Sequence, residues 1–70
     1  MPSSTFLNLP AQKQEKLLEA ATREFSQRPY NEASINQIIK DAGIPRGSFY
    51  MYFTDKEELF RYVLSGYVDQ

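Results

Sequence analysis

The sequence predicts an all-α protein, a small helical bundle, on three observations. No segment alternates apolar and polar residues with period two, apolar residues recur at helical spacing along most of the chain, and the intervals between the periodic stretches carry helix-stopping and helix-starting residues. With 70 residues the chain makes one domain at most, and a domain this small buries only about 60% of the surface its unfolded form exposes. Five Phe, five Tyr and no low-complexity tract argue for a folded chain rather than a disordered one. The absence of cysteine excludes a disulfide framework, an iron–sulfur cluster and a thiolate zinc site, and fits a reducing cytosol. The longest apolar run is far below the roughly 20 residues of a membrane helix. The N-terminal "MPSSTFLNLP" also lacks the basic-then-apolar order of a signal peptide. A cytoplasmic location without membrane contact is expected.

Four helices follow from their boundaries. Helix one starts near Asn8 to Pro10, where Asn can cap and Pro is tolerated because its missing N–H has no helical partner in the first turn. Leu17, Leu18, Ala21 and Phe25 then share a face, and Pro29 ends the pattern. Residues 1–9 are left as an N-terminal arm. Helix two opens on Ser34 and Gln37, a capping box, and carries Ile35, Ile38, Ile39 and Ala42 on a narrow stripe. Gly43 stops it, since glycine adopts the left-handed conformation at little steric cost. Helix three begins near Pro45 and cannot pass Thr54, because Asp55 with Glu58 is a second capping signature. Helix four carries Leu59, Phe60, Val63, Leu64 and Tyr67, and its pattern is still running at Gln70, so residues 67–70 read as a truncated continuation.

Two short helices joined by a glycine-containing turn, with a longer helix before and another after, make a helix-turn-helix: a homeodomain-like three-helix unit plus the start of a fourth helix. In such a unit the second helix enters the DNA major groove and the first crosses the backbone. Phe49 and Phe53 are four residues apart and, with Ile44, can seal helix three onto its neighbours. Arg46, Gly47, Ser48, Tyr50, Met51 and Tyr52 remain for other faces. Net charge is −1, yet residues 34–56 hold three cations against two acids and are the least acidic third of the chain. Gly47 in the first turn costs roughly 1 kcal/mol relative to Ala unless something must approach the backbone closely. Arg46 sits at the positive end of a helix dipole, unfavourable by about 0.3–1 kcal/mol unless an anion or a guanine edge arrives, and Lys56 repeats that misfit at the start of helix four.

These residues also carry a family resemblance. The string "SINQIIKDAGIPRGSFYMYFTDKEELF", preceded by "LLEAATREF", closely resembles the DNA-binding region of the tetracycline-repressor (TetR) family of bacterial transcriptional regulators over about residues 11–66. The resemblance implies a helix-turn-helix DNA-binding domain at residues 10–66 with its recognition helix at about 45–53. It places Arg46, Ser48 and Met51 where family members reach base edges, Gly47, Tyr50, Tyr52 and Lys56 where they hold phosphates, and Ser34 and Asn36 where they touch the flanking backbone. It implies a repressor rather than an activator, acting on double-stranded DNA with a pseudo-palindromic operator. It also implies a homodimer formed through a C-terminal domain that binds the small-molecule effector and lies outside these residues. The arm is not basic, so no strong minor-groove contribution is expected from it.

Two rivals compete with this reading. A helical protein-interaction module could dock a partner on a Tyr50, Met51 and Tyr52 patch, where Met supplies adaptability; a Tyr on a short helix is also commonly half-buried core with its hydroxyl at the surface. An enzyme is not expected. With no His, no Cys and no paired carboxylates off the solvated helix faces, the sequence offers neither a nucleophile–base pair nor a metal or cofactor site.

Overall fold

In the computed structural model the described residues are 2–67, with the backbone alone for Gly66 and Tyr67. Five α-helices run in order: α1 (Ser4–Leu7), α2 (Ala11–Gln27), α3 (Ile35–Ala42), α4 (Arg46–Tyr52) and α5 (Lys56–Tyr62). A single 3-10 turn (Tyr30–Glu32) lies between α2 and α3, and α5 widens into a π-helical segment (Val63–Tyr67). Helices α2 to α5 are the four expected from their boundaries. No strand occurs among the described residues, and no helix there is long and apolar enough to cross a membrane.

The local signals work largely as their chemistry dictates. Ser34 caps α3, its hydroxyl accepting the Gln37 N–H at 3.2 Å, but the reciprocal half of the box is missing because the Gln37 amide turns to Asp41 instead. Gly43 closes α3 with φ of 74°, and its N–H reaches the carbonyls of Ile39 and Lys40. The Ile44 N–H returns to the Ile39 carbonyl at 3.1 Å, and its side chain packs against the core. Asp55 caps α5 by accepting the Glu58 N–H at 2.8 Å. Glu58 in turn accepts from the Thr54 N–H at 2.7 Å, one residue before the cap, and this bond holds its carboxyl below the ordinary value of 4.5 despite partial burial. The stabilisation this carboxylate provides is therefore present above its unfolded pKa and lost as pH falls through the lowered folded value.

Three expectations need correction. The N-terminal segment, residues 2 to 9 among those described, is not a free arm. Ser3 caps the one-turn helix α1, and Phe6 is wholly buried in the core against Tyr52, Phe53 and Tyr62. A four-residue helix shows no periodicity, and adjacent Phe6 and Leu7 after three small polar residues give no face to read. Asn8 accordingly ends α1 instead of capping α2, whose own cap is Pro10. Leu64 is 57% exposed, while Leu59 and Val63 are buried on the side of α5 that meets α2. Tyr67, expected on the same stripe, has its side chain outside the described residues, as do residues 68–70.

The core gathers Leu17, Leu18, Ala20 and Ala21 of α2, Ile38 and Ala42 of α3, Phe49 and Phe53 around α4, and Leu59 and Val63, with Phe6 closing one end. Glu24 lies among them, only 2% exposed. Its carboxylate is held by Arg28 at 3.1 Å and accepts the Ser34 N–H at 2.9 Å. A buried charge persists only when paired and hydrogen-bonded. Here the pairing ties the end of α2 to the start of α3.

Candidate nucleic-acid interface

Helix α4 is anchored on one side and open on the other. Phe49 is fully buried, and Phe53, in extended backbone one residue past the helix, is 1% exposed, the two rings 5.9 Å apart. This fixes the rotation of α4, leaving Arg46, Gly47, Tyr50 and Met51 exposed, with Met51 at 62%. A Cβ built on Gly47 would meet no heavy atom within 4 Å, and its φ is not positive. Nothing inside the fold requires glycine there.

The nine residues singled out from the sequence do not form one uniform surface. Arg46, Asn36 and Tyr50 come together: the Arg46 guanidinium donates to the Asn36 side-chain oxygen and to the Tyr50 hydroxyl at 3.4 Å, and lies 5.4 Å from the centre of the Tyr50 ring. A cation over an exposed ring is stabilised by about 0.5–1 kcal/mol. This cluster spans the two helices of the helix-turn-helix and holds Arg46 outward, with the remaining donors of its five N–H groups available.

Ser34 is half-buried with one lone pair of its oxygen used as a cap, and its hydroxyl hydrogen is left to donate. Ser48 is half-buried beside α2. Tyr52 packs its ring against the core, 5.9 Å from Phe6, so the half-buried alternative describes this tyrosine better than an open face does. Lys56 is not the uncompensated cation expected from its place at a helix start. Its ammonium donates to the carbonyls of Tyr30 at 2.8 Å and Ala33 at 3.0 Å and sits over the Tyr30 ring at 4.6 Å. Backbone carbonyls of the first residue of the 3-10 turn and of the residue just after it supply the negative potential, and one of the three ammonium N–H bonds remains.

Sequence reasoning missed what holds the far end of α4. Ser3 donates its N–H to the Tyr52 carbonyl at 2.9 Å and its hydroxyl to the Met51 carbonyl at 2.6 Å, which satisfies acceptors that a helix C-terminus leaves open. No local signal could reveal a bond spanning forty-eight positions. Glu24 was missed as well, although the Glu24–Arg28 spacing of four was visible as a helical ion pair.

Residues 17–63 match the family described as "Bacterial regulatory proteins, tetR family". Among similar proteins, the uncharacterized HTH-type transcriptional regulator YdgC of Bacillus subtilis is 38% identical over 56 residues, covering 80% of this chain and 29% of that protein. The HTH-type transcriptional regulator AcrR of Shigella flexneri is 43% identical over 44 residues, 63% of this chain and 20% of that one. A crystal structure of a TetR family transcriptional regulator from Chloroflexus aurantiacus superposes with a TM-score of 0.83 at 47% identity, covering 89% of this chain and 29% of the other. The chain thus spans less than a third of the length of these relatives. The family is one of DNA-binding transcriptional regulators and not of enzymes, and the protein-docking alternative is not favoured. A family match over most of its length, on a helix-turn-helix with an anchored and outward-facing second helix, makes this chain a member of the tetR family of bacterial regulatory proteins.

Proposed function

We propose that this domain acts in the cytoplasm as the operator-reading part of a repressor, with α4 in the major groove and α3 across the backbone. One observation carries the reading: α4 is locked by Phe49 and Phe53 while its Arg46, Gly47, Tyr50 and Met51 surface is left uncovered, with Arg46 already braced on Asn36. Arg46 is the candidate for a bidentate guanine contact worth about 1–3 kcal/mol, with Ser48 and Met51 at neighbouring base edges. Gly47, Tyr50, the Tyr52 hydroxyl and the third N–H of Lys56 supply phosphate contacts, and Ser34 and Asn36 touch the flanking backbone. Two copies, joined by a domain outside these residues that also takes an effector, bind the half-sites of a pseudo-palindrome.

Selection from a pool of random duplexes at low and moderate salt, followed by sequencing, tests this. Recovery of an inverted repeat or its half-site is expected; retention without sequence preference would overturn it. Arg46→Ala should relax preference at one position and cost about 1–3 kcal/mol of specific binding. Gly47→Ala separates stability from binding. Removing a helical glycine should stabilise the fold by about 0.5–1 kcal/mol, seen as a higher melting temperature, while the added methyl weakens binding by keeping the DNA backbone away from α4.

A further inference from the structure

We infer that Lys13 and Lys16 of α2 form a second phosphate clamp, outside the helix-turn-helix, that grips the DNA strand along one flank of α4. The inference rests on the reading of α4 as the recognition helix and adds to it residues that neither the family resemblance nor the motif spacing assigned.

A groove of about 360 Å³ runs between α2 and the turn of the helix-turn-helix, with Lys13 and Lys16 on one wall and Ser48 and Tyr52 of α4 on the other. Its floor is apolar, built from residues such as Leu17 and Ile44, and no carboxylate lines it. Lys16 reaches across to the turn: its ammonium nitrogen lies 3.7 Å from where a Cβ on Gly43 would stand. The flank at the start of α5 has the other sign, its lining of Asp55, Glu57 and Glu58 including Arg61 as its one cation. A polyanion lying over α4 therefore meets, in the α2 groove, cations with no carboxylate beside them.

Of the six other cations, five are engaged within the fold, Arg46 by Asn36 among them, and Lys40 alone among the described residues is not. Arg28 is bound to Glu24, Arg61 to Glu57, Arg23 lies beside Asp41, and Lys56 is held by carbonyls. Among the described residues neither the Lys13 nor the Lys16 ammonium has an ion-pair or hydrogen-bond partner. Two unpaired ammonium groups one helical turn apart stand beside two hydroxyl-bearing residues of α4, in a groove without acids. That is the chemistry that takes consecutive phosphates of a nucleic-acid backbone. Such contacts carry no sequence information, but they set the pitch of α4 in the groove and add to the salt dependence.

The test is the salt dependence of binding to a mixed-sequence DNA duplex, measured for the unsubstituted chain, Lys13→Gln/Lys16→Gln, Lys13→Arg/Lys16→Arg and Arg61→Gln. Each lost phosphate contact should flatten the slope of log K against log salt by about 0.9, so by about 1.8 for the glutamine pair. The arginine pair should keep the original slope. Arg61→Gln, which removes one charge from the acidic flank, should leave the slope unchanged. Circular dichroism melts check that each variant remains folded, as exposed positions on α2 allow. An unaltered slope in the glutamine pair would overturn the clamp. So would an equal flattening per charge in Arg61→Gln, which would mean that net charge alone is sensed. If the clamp fails while Arg46→Ala still relaxes base preference, the reading of α4 stands; if the unsubstituted chain binds no duplex at all, both fall.

Discussion

Phe6→Ala is expected to lower stability by about 3–5 kcal/mol and to leave much of the chain unfolded at ambient temperature. The ring is completely buried and lies 5.0 Å from Phe53, 5.9 Å from Tyr52 and 6.0 Å from Tyr62. Its removal would empty the end of the core where α1, α4 and α5 meet. The cavity cost adds to the lost transfer energy because a small domain has few side chains able to move into the gap. Thermal unfolding followed by circular dichroism reads the effect directly. Were residues 1–9 a free arm, the same substitution would leave the melting temperature in place, so the experiment decides between an appendage and a structural element. Phe6→Leu, which retains most of the volume, should recover a large part of the loss.

Phe53→Ala should cost a similar 3–5 kcal/mol, for a related reason with a different consequence. Phe53 is the last residue tying α4 to the core, stacked on Phe49 and against Phe6 and Tyr62, and its N–H closes the helix on the Phe49 carbonyl. Its loss leaves the C-terminal end of α4 to the Ser3 hydrogen bonds and the Tyr52 ring, as well as opening the interior. A fully folded Phe53→Ala protein would show that α4 is rotated about its axis from the orientation described, and the Arg46–Met51 surface would then not be the exposed one. Unfolding in urea monitored by tyrosine fluorescence suits this chain, which has no tryptophan, and the midpoint should fall with the slope unchanged if only stability is altered.

Much of this architecture was legible without coordinates because it is written in local chemistry. The hydroxyl of Ser34, the left-handed Gly43, the carboxylate of Asp55 and the apolar spacing of α2 and α3 act within one or two turns of chain, where residue type and spacing are enough to state the outcome. The division of the aromatics was legible for Phe49 and Phe53, which are four apart and buried together, and for Tyr50, which is exposed. It was not for Tyr52, which belongs in large part to the core because Phe6 arrives from the other end of the chain to cover it. The exposed Leu64 is a similar case, since periodicity marks a stripe without saying how wide a stripe the neighbouring helices cover.

The candidate interface divides along the same line. Residue types and spacing alone place a short helix from near Pro45 behind a glycine turn, with one cation and several hydroxyls on it and its phenylalanines buried, because propensity, capping and period are properties of neighbouring residues. Which of those groups are free depends on how the helices pack. The tertiary structure bonds Lys56 to two carbonyls more than twenty positions away, braces Arg46 on Asn36, holds the end of α4 with Ser3, buries Glu24 against the Ser34 amide, and sets Lys13 and Lys16 beside Ser48 and Tyr52. The physical reason is that each is a hydrogen bond or electrostatic contact between groups far apart in sequence, whose strength depends on distance and burial, and neither quantity exists until the helices are packed.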